Sequence, residues 1–198
     1  SVVFSNGVNS VTKTIIGNAN AQPVILAVGD LGTLGNGLIT VNATATDASG
    51  NVSNAATPAS FTLDTLAPVA PTFVVSAATA NATVAEATAG AVTVTAELGS
   101  TVTVNLTGSN QLGPVQKILT GTGVAQVVAL LPADLSMLGA SGTITVNATS
   151  TDVAGNVSVL ATPASFILDN VAPIAPTFAV SATTANATAA EATTGAVT

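Results

Sequence analysis

Histidine, cysteine, tryptophan and tyrosine are all absent from this 198-residue chain, and lysine plus arginine number only two. Without His or Cys there is no imidazole base, no thiolate nucleophile and no tetrahedral zinc site. No disulfide can form, so cysteine usage carries no compartment signal. Two cations cannot track a phosphate backbone, and a net charge of −7 repels nucleic acid. Aromatic residues are 3% of the chain, all phenylalanine, which leaves no platform for stacking on a sugar or base. Charged residues are 6%, with Thr, Asn and Ser as the polar replacements.

Long apolar runs are missing too. Mean hydropathy is +0.67, but the excess is Ala and Val scattered among Thr, Ser and Asn. The densest apolar stretch, residues 124–133, is interrupted by Gln126 and reaches half the roughly 20 residues a spanning helix needs. No starting Met, charged n-region or apolar signal stretch stands at the N-terminus. The chain reads as a soluble internal fragment of something longer.

What the chain does have is a repeat. Residues 39–93 and 144–198 align at an offset of 105 with 13 differences in 55 positions. Upstream the match continues at offset 104, pairing Lys13 with Lys117, Gln22 with Gln126, Asp30 with Asp134 and Leu34 with Leu138. One inserted residue near 140–142 accounts for the change. A period of this size suits one immunoglobulin-like sandwich and is too long for a solenoid repeat. The natural boundary is Ala-Pro-Val-Ala-Pro at 67–71 and its copy at 172–176. Proline fixes φ and cannot donate to a ladder, so this spacing makes a stiff extended linker, in preference to a ligand for a proline-recognition module. Residues 1–67 then form the C-terminal part of one domain. Residues 68–172 form one complete domain, and residues 173–198 the first strands of a third.

The fold class expected is all-β: tandem immunoglobulin-like sandwiches of about seven strands. Alternating β-branched runs place strands at 72–78, 91–96, 101–107, 115–120, 124–130, 143–151 and 158–168. Gly, Pro, Asn and Asp mark the turns between them, and residues 132–138 suit one short helical turn opened by proline. The five phenylalanines are expected as core anchors. Lys13 and Lys117 read as lone solvent-facing cations.

Counting strand reversals sends every acid of the repeat to a pole, where consecutive domains meet. Glu86, Asp134 and Asp169 fall at the C-terminal pole; Glu97 and Asp152 fall at the N-terminal one. Carboxylates facing each other across a junction repel unless something binds them. Hard oxygen ligands suit Ca²⁺, which takes six to eight. A junction site is expected from Asp30 and Asp64 of one domain with Asp152 and Glu97 of the next. Asp134 and Asp169 start the following set, with Glu86 and Glu191 at the same poles. Asp47 is the first-copy counterpart of Asp152. Against this stands a plainer use. The Asp-x-x-Gly-Asn turn at 152–156 has the composition of an ordinary tight turn, and Asp64 can cap linker amides.

Several motifs occur together: Asp134-Leu135 before a strand, Thr151-Asp152-x-x-Gly155-Asn156, Phe166-x-Leu168-Asp169 and the Ala-Pro-x-Ala-Pro linker. The first copy repeats them in Thr46-Asp47-x-x-Gly50-Asn51 and Phe61-x-Leu63-Asp64. This combination, spanning the whole repeat, resembles the bacterial immunoglobulin-like repeats of giant RTX-type, type I-secreted surface adhesins and biofilm-associated proteins. The resemblance implies an extracellular stalk, often stiffened by Ca²⁺, that holds a binding tip away from the cell. The chain departs from it in being poorer in acids than many such repeats. It also carries neither a β-roll nonapeptide nor a secretion signal.

Seven Asn-x-Ser/Thr sequons, at Asn42, Asn51, Asn81, Asn105, Asn147, Asn156 and Asn186, are what an Asn- and Thr-rich chain produces by chance. Glycosidase chemistry needs two carboxyls about 5–10 Å apart in a cleft, and the strand order separates Asp152 from Asp169. No enzyme is expected. Two readings remain from different classes. One is a structural spacer whose partners are neighbouring repeats of the same protein. The other is a filament or sheath subunit, a homopolymer joined head to tail by strand exchange, residues 173–198 supplying strands to residues 1–67 of the next copy.

Overall fold

The computed structural model describes residues 1–76, 81–110, 112–139, 141–180, 186–195 and 197. Residues 1–67 contain β1 (Val2–Ser5), β2 (Ser10–Lys13), α1 (Val28–Leu34), β3 (Gly37–Ala43) and β4 (Ala59–Leu63). The strands form one antiparallel sheet in the order β2-β1-β3-β4. Phe4, Leu34 and Ile39 are its small buried core, with Val24, Leu26, Val41 and Leu63 half-buried around them.

The next stretch is a complete sandwich. Its elements are β5 (Thr72–Val75), α2 (Val84–Gly90), β6 (Val92–Thr95), β7 (Thr101–Gly108), β8 (Val115–Thr120), β9 (Gln126–Val127), α3 (Pro132–Leu138), β10 (Ser141–Thr151) and β11 (Ala164–Asp169). One sheet is β11-β10-β7-β8 and the other β5-β6-β9. Their facing sides bury Val92 and Val94 against Val102, Val104, Leu106, Ile144, Val146, Phe166 and Leu168. Strand periodicity dictates this. In β7 and β10 alternate residues are buried, so Val102, Val104 and Leu106 share one face, as do Ile144, Val146 and Ala148. The chain is all-β with immunoglobulin-like sandwich architecture.

The four-stranded sheets of the two units are the same sheet. The ladder β2-β1-β3-β4 is the earlier copy of β8-β7-β10-β11, element for element at the repeat offset. A second sheet covers the later copy, and among the described residues none covers the earlier. After β11, residues 173–180 run on as exposed chain, Val180 bridges to Val197, and α4 (Ala189–Gly195) is the counterpart of α2.

Several expectations need correction. The turn expected between the strands at 72–78 and 91–96 holds α2 at residues 84–90. Thr83 is its N-cap, and Glu86 returns the bond to the Thr83 N–H and hydroxyl, each at 2.9 Å. This Thr-x-x-Glu capping box was readable in the sequence. The run at 124–130 gives a ladder of only two residues, β9. The final strand starts at Ala164 rather than 158, because Ser158 and Ala161 donate back to β10 at Ser150 and Ala148, and Pro163 has no N–H. The end of the first expected strand, residues 77–78, lies outside the described residues. Phe61 and Phe178 are not core residues: they are 40% and 76% exposed, lacking an opposite sheet.

Candidate functional site

The junction between the two units is held by specific bonds. The prolines of the linker, Pro68 and Pro71, are buried, whereas their later copies Pro173 and Pro176 are exposed. Ser150 Oγ, at the end of β10, donates to the Val69 carbonyl at 3.1 Å. Asn156 Nδ2 donates to the Asp64 carbonyl at 3.2 Å. Both donors belong to the N-terminal pole of the complete sandwich, so the linker is fastened to the domain it enters.

Asn156 is aimed by its own turn. Asp152 Oδ1 accepts the Asn156 N–H at 2.8 Å and Oδ2 accepts the Asn156 amide at 2.9 Å. The turn closes with Gly155 at φ 94°, where a side chain would be strained. The Asn156 amide lies foremost among the groups that hold the Asp152 carboxyl below its ordinary 3.8, and turn N–H groups add to it while desolvation opposes them. The first copy builds the same turn from Asp47 and Asn51, at 2.8 Å for both bonds. Asp47 is likewise lowered, chiefly by Asn51.

The other acids are also engaged locally. Asp30 Oδ2 accepts the Ala27 N–H at 2.6 Å and pairs with Lys13 at 2.5 Å. Asp134 Oδ2 accepts the Leu131 N–H at 2.6 Å and pairs with Lys117. Each carboxylate thus caps a seven-residue helix that has no side-chain N-cap and ties it to an edge strand. The two lysines are therefore not lone cations. The signal was present in the sequence, since both copies keep the lysine 17 residues before its aspartate. Lys117 sits midway along β8, opposite Val104, which draws Asp134 to the flank of that strand. Burial raises the Asp134 carboxyl, but Lys117 and the Leu131 N–H outweigh it and the net shift is downward. Asp30 is lowered mainly by Lys13, and Glu86 by the Thr83 N–H. Asp169 Oδ1 accepts the Val171 N–H at 3.1 Å, and Asp64 Oδ1 accepts the Leu66 N–H at 3.0 Å. Glu97 is exposed; its carbonyl takes the Ser100 hydroxyl at 2.7 Å. The side chain of Glu191 lies outside the described residues.

Two predictions follow from these bonds. Replacing Asp134 with Asn keeps an acceptor for the helix cap but strips Lys117 of its counter-charge, costing about 1 kcal/mol in urea unfolding. The five lowered carboxyls also set an acid limit. A depressed folded-state pKa stabilises above the unfolded value, and that stability is lost as pH falls through the folded one. Calorimetric Tm should be level down to about pH 4–5 and fall steadily below it. A Tm unchanged at pH 2 would contradict the role given to these carboxyls.

As a cation site, the donor set divides. Asp30 and Asp134 do not fit Ca²⁺, because an ammonium shares the oxygen that caps the helix. Asp47 and Asp152 have both oxygens engaged by an asparagine. Among the described residues no three acids gather. At the linker, Asp64 Oδ2 and the outer lone pairs of Asp152 are the carboxylate donors left over, a weak set by charge and number.

No helix among the described residues is long and apolar enough to cross a membrane. No protein-family model matches the chain, and no curated protein matches it. Similar solved structures exist. One is a tetra-tandem repeat in the extending region of a large adhesion protein, 25% identical with a TM-score of 0.42, the match covering 86% of this chain and 41% of that one. Another concerns host cell surface retention of a 1.5-MDa bacterial ice-binding adhesin, 18% identical with a TM-score of 0.38, the match covering 92% of this chain and 57% of that one. The chain thus spans less than two thirds of either.

Proposed function

We propose that this chain is an extender segment of a large bacterial surface adhesin. It is a non-catalytic extracellular spacer that holds a binding tip away from the cell and supports attachment to surfaces and biofilm. The observation that carries the reading is the fastened junction. Buried Pro68 and Pro71, with the bonds from Ser150 and Asn156 to linker carbonyls, couple one unit to the next. A spacer needs a compact domain repeated in series and joints that resist bending, and these residues supply both. The lack of His and Cys and the scarcity of cations and aromatics fit a part whose work is mechanical.

The proposal includes Ca²⁺ at the junction, bound between the Asp64 carboxylate and the outer lone pairs of Asp152 and adding charge neutralisation to a joint already fastened by hydrogen bonds. Its support is that Asn156 links Asp152 directly to Asp64. With so few acids the expected affinity is on the order of 10⁻³ M. Small-angle scattering and calorimetry of the chain, in millimolar Ca²⁺ and in chelator, test both parts. An elongated particle of concentration-independent length is the expected result, with a higher Tm in Ca²⁺. The same particle with no Ca²⁺ response would remove the metal and leave the spacer. Length growing with concentration through exchanged strands would favour the filament reading instead.

A further inference from the structure

Every ladder in the chain is antiparallel, and one bridge is not. Ala82 pairs in parallel with Leu168 of β11, alone in this among the described residues. Two bonds make the bridge. The Ala82 N–H donates to the Ile167 carbonyl at 2.7 Å, and the Asp169 N–H donates to the Ala82 carbonyl at 2.9 Å. Ala82 and Leu168 are both 0% exposed, so water has no access to replace these bonds as they open. Directly after the bridge, Thr83 and Glu86 cap α2, which packs on β11.

The bridge joins the two ends of the domain. The chain enters at the pole where Ser150 holds Val69. It leaves past Asp169, which pairs with Ser141 at the opposite end of β10. Along the 11 residues of that strand these ends stand about 35 Å apart. Tension applied through the linkers therefore draws β5 and Ala82 toward the entry pole and β11 toward the exit pole. Because Ala82 runs parallel to β11, its two bonds lie across the pull and are loaded in shear, together rather than in turn. They also tie the entering chain straight to the leaving chain. While they hold, residues 83–163 lie outside the shortest load path.

We propose that the Ala82–Leu168 bridge is a tension clamp, which sets the force at which the sandwich opens when the chain is pulled from linker to linker. The proposal rests on the spacer reading, in which each domain carries load in series. On the entry side β5 is an edge strand of four residues, with one further bond from the Ser76 N–H to the Ala91 carbonyl, and it gives way first. On the exit side six pairs hold β11 to β10, so β11 stays in place while Ala82 is drawn past it.

Single-molecule force spectroscopy on the 198-residue chain tests this. The chain has no cysteine, so handles go at Leu66→Cys and Val171→Cys, whose native side chains are 72% and 66% exposed beyond either end of the sandwich. A clamp at Ala82 predicts two steps. The first, at low force, frees residues 72–81, about 35 Å of extended chain. The second, at high force, frees residues 82–169, on the order of 300 Å. A single step freeing residues 72–169 at once would place the barrier at β5 and overturn the clamp. At fixed force Ala82→Pro, which removes the donor to Ile167, should speed the second step about five-fold, the equivalent of one neutral hydrogen bond in the barrier. Ser76→Pro, which removes the donor to Ala91, should change that step less than about two-fold. Equal speeds for Ala82→Pro and the unaltered sandwich also overturn the clamp. The step lengths need no substitution within the sandwich, so they decide the matter even if Ala82→Pro fails to fold. None of these failures touches the spacer reading, which rests on the fastened junction and is tested by particle length.

Discussion

Phe166→Ala is expected to cost the complete sandwich about 3–5 kcal/mol, and the same change one repeat earlier, Phe61→Ala, only about 1–2 kcal/mol. Phe166 is 4% exposed between two sheets; Phe61 is 40% exposed on one. Removing the first ring leaves a cavity lined by Ile144 and Leu168 layers that strand pairing prevents from collapsing. Removing the second forfeits an edge-to-face contact with Phe4, 6.5 Å between centroids, and some half-solvated area. Calorimetry on each variant gives the comparison. For a sandwich of about 100 residues, the larger loss lowers Tm by more than 10 °C. Equal shifts for the two variants would mean that the first unit is covered as the second is.

A second pair of variants carries the same contrast through backbone rather than side chain. Gly121→Ala is expected to destabilise by about 3 kcal/mol, and Gly17→Ala, its counterpart at offset 104, by less than about 0.5 kcal/mol. A methyl group on Gly121 would meet the Glu97 carbonyl at 2.0 Å. That carbonyl cannot retreat, because the Gly99 N–H donates to Gly121 at 2.8 Å and the Gly121 N–H to Ser100 at 2.7 Å. A methyl group on Gly17 would meet nothing within 4 Å beyond its chain neighbours. Urea midpoints of the two variants, at unchanged m-value, are the measurement. A tolerated Gly121→Ala would show that the 97–100 turn adapts, and the N-terminal pole would then be softer than its bonds imply.

The sequence was most legible where side-chain periodicity alone decides structure. The strand at 115–120 stands as read, and 101–107 gains one residue, since β-branched alternation bounded by glycine leaves little else to choose. The failures have local causes. At 124–130 the apolar run reads as strand, but β9 finds a partner in β6 for only two residues before Pro132 opens α3. The helix at 84–90 falls between two expected strands, where apolar alternation gives no signal, although Thr83 and Glu86 marked its start.

The chemistry-bearing residues divide similarly. Placing acids near domain ends follows from strand reversal, and the linker does bring Asp64 to the pole that carries Asp152. What reversal counting could not supply is which oxygen each carboxylate spends. Asp152 spends both on Asn156, and Asp134 spends one on both a helix end and Lys117. The residues that fasten the joint, Ser150 and Asn156, are uncharged; one lies in a strand end and the other in a motif whose composition is that of an ordinary tight turn. Only the three-dimensional meeting of that turn with the linker gives them a role.

The proposed spacer stands or falls on the stiffness of that joint. Because the chain has no cysteine, spin labels can be placed cleanly at Val8→Cys and Leu112→Cys, whose native side chains are 90% and 82% exposed on either side of the linker. Pulsed electron–electron resonance then reads the distribution of distances between the two units. The account predicts one narrow distribution, which broadens when Pro68 and Pro71 are replaced by glycine together with Asn156→Ala. A broad distribution in the unaltered joint, insensitive to those changes, would contradict it.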